Sequence, residues 1–153
     1  MSNAPIAKSA PSLARYESDL YAWSREQAAL LRAGRLGEID AENIVEEILD
    51  VGKTEYRVLE SALRVLLTHM LKWDHQPDKR TRSCENTIGI QRAHALRQVR
   101  DNPSLKSRRQ EAVGDAFFDA RREASSECDV SLDQFPEDCP YDWDSIINRK
   151  LRL

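Results

Sequence analysis

The chain has 153 residues, of which 41% are hydrophobic and 32% are charged, and its formal net charge is −3. This length fits one domain of ordinary size, and the near balance of charge excludes a surface built throughout for nucleic acid. Only 5 glycines and 6 prolines are present, which excludes a fold of many short strands, because the turns between strands need such residues. The cysteines Cys84, Cys128 and Cys139 show no CxxC spacing, and we therefore expect neither a disulfide framework nor a zinc site.

The beginning of the chain carries no sign of a membrane or secretion segment. No apolar run approaches the roughly 20 residues that span a bilayer, and the first residues lack the apolar stretch of a signal peptide. We therefore expect a cytoplasmic protein without membrane contact. Residues 1–12 predict a disordered tail, and residues 13–153 predict a single helical domain.

The first half of the chain predicts two helices. Apolar residues recur at helical spacing from Ser12 to about residue 33, and Gly34 is suited to end this first helix. Asp40 is a good N-cap for a second helix, which Pro77 prevents from continuing. The apolar stripe predicted for this helix includes Ile44, Ile48 and Val51 and continues to Trp73. If unbroken, the second helix is about 50 Å long, and Gly52 is the expected kink.

The second half predicts two more helices and an irregular end. Ser83 is the expected cap of the third helix, and the fourth helix spans about 105–127. The side chains predicted to face inward are Cys84, Ile88, Gln91, Ala95 and Val99 on the third helix and Leu105, Val113, Ala116, Phe117 and Ala120 on the fourth. An irregular strap follows Cys128, and Asp142 caps a short final helix. The predicted fold is all-α, an antiparallel bundle of four main helices with an irregular C-terminal strap and a short final helix.

Six short motifs follow one another along the chain. They are Tyr16-x-x-Asp19-x-x-x-Trp23-x-x-x-Gln27-x-x-x-Leu31-Arg32, Asp40-x-x-Asn43-x-x-Glu46-Glu47-Ile48, His69-Met70-Leu71-Lys72-Trp73 with Gln76-Pro77, Thr87-Ile88-x-x-Gln91-Arg92, Pro103-Ser104-Leu105, and Pro136-x-x-Cys139-Pro140-Tyr141. Together they resemble the bacterial domain-of-unknown-function family number twenty-nine, from about Tyr16 to the C-terminus. Cys84 stands where that family usually has a tryptophan. The resemblance implies a helical fold in bacteria and supplies no catalytic residues.

His69 is the first candidate site residue, because it lies in an apolar stretch followed by Lys72 and Trp73. Antiparallel pairing of the second and third helices brings His69 within a turn of Gln91 and Arg92. This pairing predicts a polar cluster, which is either a hydrogen-bonded packing seam or a metal or small-molecule site. The Glu-x-x-His spacing of di-iron bundles is absent, and we expect no metal and no cofactor.

Glu46 and Glu47 form a candidate acidic pair near the start of the second helix. A solvated helix end that complements the helix dipole is the simpler interpretation, and the alternatives are a hydrogen-bond acceptor for Arg92 and metal binding. Pairing of the first two helices places Gln27 opposite Glu47.

Charge is unevenly distributed along the chain. Residues 36–75 carry nine acidic and four basic side chains, whereas residues 76–103 carry six basic and three acidic ones. The basic residues predict an edge that contacts phosphate, although no aromatic residue is interleaved with them for base stacking. The members of this basic edge are Lys79, Arg80, Arg82, Arg97 and Arg100. The same asymmetry fits a self-complementary dimer in which the acidic start of the second helix meets the basic region of a partner.

The sequence identifies no activity, and it leans away from an enzyme because nucleophile elbows, glycine-rich phosphate loops and HExxH helices are absent. The first hypothesis is a non-enzymatic helical interaction module that binds a protein partner or a second copy of itself. The second is a weak nucleic-acid-associated regulator or a partner of a toxin-like protein. The third is a metal or small-molecule site at His69, with Glu46 or Glu47 as distant contributors.

Overall fold

The computed structural model describes residues 14–153, and the all-α fold predicted from the sequence is confirmed. No β-strand is present within this range. The tail predicted for residues 1–12 lies outside the described residues. None of the helices between residues 14 and 153 combines the length and the apolar content that crossing a membrane requires. The α-helices are α1 (Leu20–Arg32), α2 (Ala41–His75), α3 (Arg82–Asp101), α4 (Arg109–Cys128) and α5 (Trp143–Asn148).

The chain divides into two compact units, Met1–Asp50 and Val51–Leu153. The first unit contains α1 and the start of α2, and the second contains the rest of α2 together with α3, α4 and α5. A single domain over residues 13–153 stays a prediction.

Helix α1 begins later than the sequence suggests. The apolar spacing predicts a start at Ser12, but the α-helix begins at Leu20. The reason is Asp19, whose backbone is not helical and whose Oδ1 accepts a hydrogen bond from Ala22 N at 2.9 Å, as an N-cap does. At the other end Gly34 takes the predicted left-handed conformation, with φ of 69°.

Helix α2 is one uninterrupted α-helix of 35 residues. Asp40 Oδ1 accepts a hydrogen bond from Asn43 N at 3.4 Å, which supports its predicted role as the cap. The kink expected at Gly52 does not interrupt the helix. A single glycine in an exposed helix costs only about 1 kcal/mol relative to alanine, and the flanking hydrogen-bonded turns of a long helix tolerate this cost.

Two helix starts in the second unit differ from the prediction. Helix α3 is capped by Thr81 and not by Ser83, because the Thr81 backbone is extended and its Oγ1 accepts a hydrogen bond from Cys84 N at 3.1 Å. Residues Pro103–Arg108 form a 3-10 helix, so the α-helical part of α4 begins four residues after the predicted start at 105. Tight turns with hydrogen bonds between residues three apart replace the α-helical ladder there.

The second unit is organised around an apolar core. Helix α2 contributes the leucines that have no exposed surface, Leu59, Leu63, Leu66, Leu67 and Leu71. Most positions predicted to face inward from the third and fourth helices are buried as well, namely Ile88, Ala95, Val99, Leu105, Val113, Ala116, Phe117 and Ala120. Cys84 and Gln91, also predicted to face inward, are only half-buried. The periodicity of the sequence therefore identifies this core correctly.

The C-terminal strap follows Cys128 and is held against α4. The Phe135 side chain is buried, and Arg121 Nη2 donates a hydrogen bond to the Phe135 carbonyl at 3.2 Å. Asp142 caps α5 as predicted, because its Oδ1 accepts from Ser145 N at 2.7 Å. The strap and the final helix are thus part of the second unit's packing.

Candidate functional site

In the first unit, motif residues of α1 and α2 meet around Asp40. Trp23 Nε1 donates to Asp40 Oδ2 at 3.1 Å, and Asn43 Nδ2 donates to the same oxygen at 2.7 Å. Gln27 Oε1 accepts a hydrogen bond from Asp40 N at 2.8 Å. The hydrogen bonds from Asn43 and then Trp23 lower the pKa of Asp40, since they favour its charged form. We call residues 14–50 the hairpin. The hydrogen bonds among these four residues hold its two helices together.

Tyr16 and Glu47 extend this network. Tyr16 Oη donates to Glu47 Oε1 at 2.7 Å, and the Tyr16 ring meets the Trp23 ring edge to face with 5.0 Å between centroids. The hydrogen bond to Glu47 raises the pKa of Tyr16 to about 12, because ionised tyrosine loses the donor. Gln27 accepts its hydrogen bond from Asp40 N, and Glu47 accepts from Tyr16. The predicted pairing of Gln27 with Glu47 is therefore wrong.

The seam between the helices of the hairpin is unusually polar. Gln27 is only 3% exposed, and its Nε2 has no hydrogen-bond partner among residues 14–153. Trp23 and Leu30 are buried beside it. An amide thus occupies a position where a helix seam ordinarily buries an apolar side chain.

Aliphatic side chains lie instead on the outside of the hairpin. Six aliphatic side chains between residues 14 and 50 are 44–65% exposed, namely Leu20, Leu31, Leu36, Val45, Ile48 and Leu49. Three of them, Val45, Ile48 and Leu49, belong to α2, and we call these three the outer apolar face. Val45, Ile48 and Leu49 are three and four residues apart and therefore share one side of α2. The sequence assigns Ile48 to a buried stripe, and nothing in its spacing shows whether the same chain covers that stripe.

The acidic pair is divided between two environments. Glu47 is part of the network with Tyr16, whereas Glu46 is exposed. Within residues 14–153 no three His, Cys, Asp or Glu side chains are arranged to hold a metal ion. The pair therefore gives no support to a metal centre.

The three residues of the predicted polar cluster each have separate surroundings. His69 Nδ1 donates to Val65 O at 2.9 Å, one turn earlier in α2. Arg92 Nε donates to Ile146 O at 2.7 Å, and burial lowers the pKa of Arg92. Gln91 lines a groove between α2 and α3. Among the described residues no hydrogen bond links His69, Gln91 and Arg92 to one another, and a site formed by all three stays a prediction.

The members of the basic edge also differ in their contacts. Arg80 Nε donates to Trp73 O at 2.9 Å, and its guanidinium carbon lies 5.2 Å from the centre of the Trp73 ring. Arg100 pairs with its neighbour in sequence, Asp101, at 2.9 Å. Arg97 lines the groove between α2 and α3, and the other members, Lys79 and Arg82, are exposed.

A comparison with protein families identifies the family of this chain. A family model described as domain of unknown function DUF29 matches residues 15–151. No curated protein and no solved structure matches the chain. The matched range covers nearly the whole sequence and includes all six motifs, so the suspected family is confirmed. The chain belongs to the DUF29 family.

Proposed function

We propose that this DUF29 protein is a helical interaction module that associates with a second copy of itself through the outer apolar face of the hairpin. The observation that carries this proposal is the distribution of side chains between residues 14 and 50. Polar groups of Gln27, Asp40 and Glu47 occupy the seam, whereas Val45 and Ile48 are more than half exposed. Contiguous exposed apolar patches on soluble proteins are typical of sites where a partner binds.

The hydrogen-bonded seam supports a binding role because it holds the outer apolar face in one arrangement. Asp40 receives hydrogen bonds from Trp23 and Asn43, and its own backbone N donates to Gln27. A surface that is already ordered loses less conformational entropy when a partner docks. The hairpin therefore has the rigidity that a docking element benefits from.

Charge complementarity favours a second copy of the chain as the partner. Residues 14–50 carry nine acidic and four basic side chains, whereas residues 76–103 carry six basic and three acidic ones. The groove between α2 and α3 has a volume of about 480 Å³ and is lined by Val58 and Val65 together with His94 and Arg97. It offers apolar surface beside positive charge, which complements an acidic hairpin with an apolar face. A two-fold dimer would form this contact twice.

Sedimentation velocity at tens of micromolar tests the proposal. We expect a dimer for the parent chain and a monomer for Ile48→Glu, because a carboxylate at the contact would be buried without a partner. Arg97→Glu should weaken the dimer as well, and added salt should weaken it in the parent.

Phe118→Glu is the matched control. Phe118 on α4 is 61% exposed and Ile48 is 65% exposed, so both changes add one charge at a similarly exposed apolar position. Phe118→Glu should remain dimeric, and circular dichroism should show unchanged helix content in all variants. A monomeric parent, or a dimer that survives Ile48→Glu, would contradict self-association through this face.

A further inference from the structure

A cavity of about 320 Å³ lies in the second unit, where the end of α2 meets the start of α3 and the last turn of α4. Its volume is at the lower end of the range for small-molecule sites. The residues of its wall that bear on binding are His69, Lys72, Lys79, Arg80, Ser83 and Glu127. The outer apolar face contributes nothing to this cavity, and a ligand there is independent of the proposed dimer.

The wall of this cavity is positively charged. Lys72 Nζ pairs with the Glu127 carboxylate at 2.7 Å, which neutralises one cation. Neither Lys79 nor Arg80 forms an ion pair with any of the residues 14–153. Two cations on the cavity wall are therefore left without an ion-pair partner among the described residues, and their charge favours an anion as the ligand.

Arg80 is oriented before any ligand binds. Its Nε donates to Trp73 O, and its guanidinium stacks over the ring of the same residue. No hydrogen bond from the two terminal nitrogens of Arg80 to a residue in the described range is formed. A guanidinium with two free terminal nitrogens suits the paired oxygens of a phosphoryl group, and its fixed orientation reduces the entropy lost on binding.

Neutral donors complete the wall. Ser83 contributes a hydroxyl group from the first turn of α3. The amide groups at the start of a helix lack intrahelical partners and carry partial positive charge. Because the His69 Nδ1 proton is donated to Val65 O, Nε2 of the neutral ring is an acceptor, and His69 does not add to these donors. Hydroxyl, guanidinium and ammonium groups together form a donor-rich pocket for a tetrahedral anion.

We propose that this cavity binds a small phosphorylated anion, with Arg80 and Lys79 as the residues that hold its phosphoryl group. The cavity's size limits the ligand to a compact molecule, such as pyrophosphate or a short phosphate monoester. The cations on the wall also disfavour a metal ion, because they would repel it.

Isothermal titration calorimetry with pyrophosphate, repeated with inorganic phosphate, tests this site. A control titration with sodium chloride at matched ionic strength corrects for the screening of charge by salt. We expect pyrophosphate to bind more tightly than phosphate, because its greater negative charge engages both cations. Arg80→Gln and Lys79→Gln should each weaken pyrophosphate binding by about tenfold, the usual effect of losing one charge-assisted contact.

Arg82→Gln is the matched control, because Arg82 is an exposed cation that is close in sequence but absent from the cavity wall. It should leave the affinity for pyrophosphate unchanged within about twofold. Absence of binding at millimolar pyrophosphate would overturn the proposal, and so would an equal loss in Arg82→Gln and Arg80→Gln. If a single-stranded oligonucleotide binds at low salt and Arg82→Gln weakens it as much as Arg80→Gln, the cations belong to a nucleic-acid surface, which also overturns the proposal.

Discussion

The two units of this chain differ in the side chains that α2 buries. In the second unit, Leu63 and Leu66 of α2 have no exposed surface, whereas Ile48 and Leu49 of the same helix are more than half exposed in the first unit. The hairpin seam is built on hydrogen bonds to Asp40 instead. A hydrogen bond contributes a net of only about 1 kcal/mol to stability, whereas one buried leucine contributes about 2 kcal/mol. The polar seam therefore orients the two helices of the hairpin more than it stabilises them. One continuous helix thus buries leucines over part of its length and exposes aliphatic side chains over the rest.

The sharpest test of this contrast is one aliphatic truncation in each unit. Leu66→Ala should lower the free energy of unfolding by about 2–5 kcal/mol, because it leaves a cavity in a closed core. Ile48→Ala should change it by less than about 0.5 kcal/mol, because that side chain is exposed. Urea denaturation followed by circular dichroism, at a protein concentration low enough to exclude association, measures both. Equal losses in the two variants would show that the chain itself covers Ile48.

The sequence predicts the helices well where strong local signals exist. The apolar period identifies the buried positions of α3 and α4, Gly34 marks the end of α1, and Asp142 marks the start of α5. It is less accurate where two residues can perform the same local task. Thr81 and Ser83 are both able to cap a helix, and the structure has Thr81 as the N-cap of α3.

Contacts between residues distant in sequence could not be predicted. Tyr16 reaches Glu47, 31 residues away, and Tyr141 reaches Asp74, 67 residues away. No spacing rule connects such residues, because their approach depends on how whole helices pack. The sequence predicts that the long second helix exposes apolar surface unless another element covers it, but it does not locate the outer apolar face, since the periodicity of an apolar stripe is the same whether it faces a core or a partner.

A second test addresses the polar seam. Trp23→Phe removes the indole N–H that donates to Asp40 Oδ2 and preserves most of the apolar volume. We expect it to lower the local stability of the hairpin by about 1–2 kcal/mol, the usual cost of leaving a charged acceptor short of one donor. Native-state hydrogen exchange of residues 20–50 measures this effect.

Trp143→Phe provides the matched control for that experiment. Trp143 belongs to α5 in the second unit and lies beneath the guanidinium of Arg109, 5.0 Å from ring centre to guanidinium carbon. Its replacement should leave exchange in residues 20–50 unchanged. If the two variants accelerate exchange there equally, the seam does not depend on the hydrogen bond to Asp40.

The smallest effect at neutral pH, and the most specific, concerns the alkaline stability of the hairpin. The bond to Glu47 raises the pKa of Tyr16 from 10.0 to about 12. A folded-state pKa above the unfolded value means that the contribution of this bond is complete below pH 10 and is lost as the pH rises toward 12. Tyr16→Phe should therefore make hairpin stability fall less steeply between these pH values, as measured by circular dichroism at 222 nm.

Tyr141→Phe is the comparison in the second unit, where burial raises the pKa of Tyr141 more strongly. The stability that the Tyr141 hydroxyl contributes should begin to fall at the same pH but continue to fall to a higher one. Absorbance at 295 nm should show one late-ionising tyrosine fewer in each variant. An alkaline profile that Tyr16→Phe leaves unchanged would show that the Tyr16 bond to Glu47 does not help to hold the hairpin.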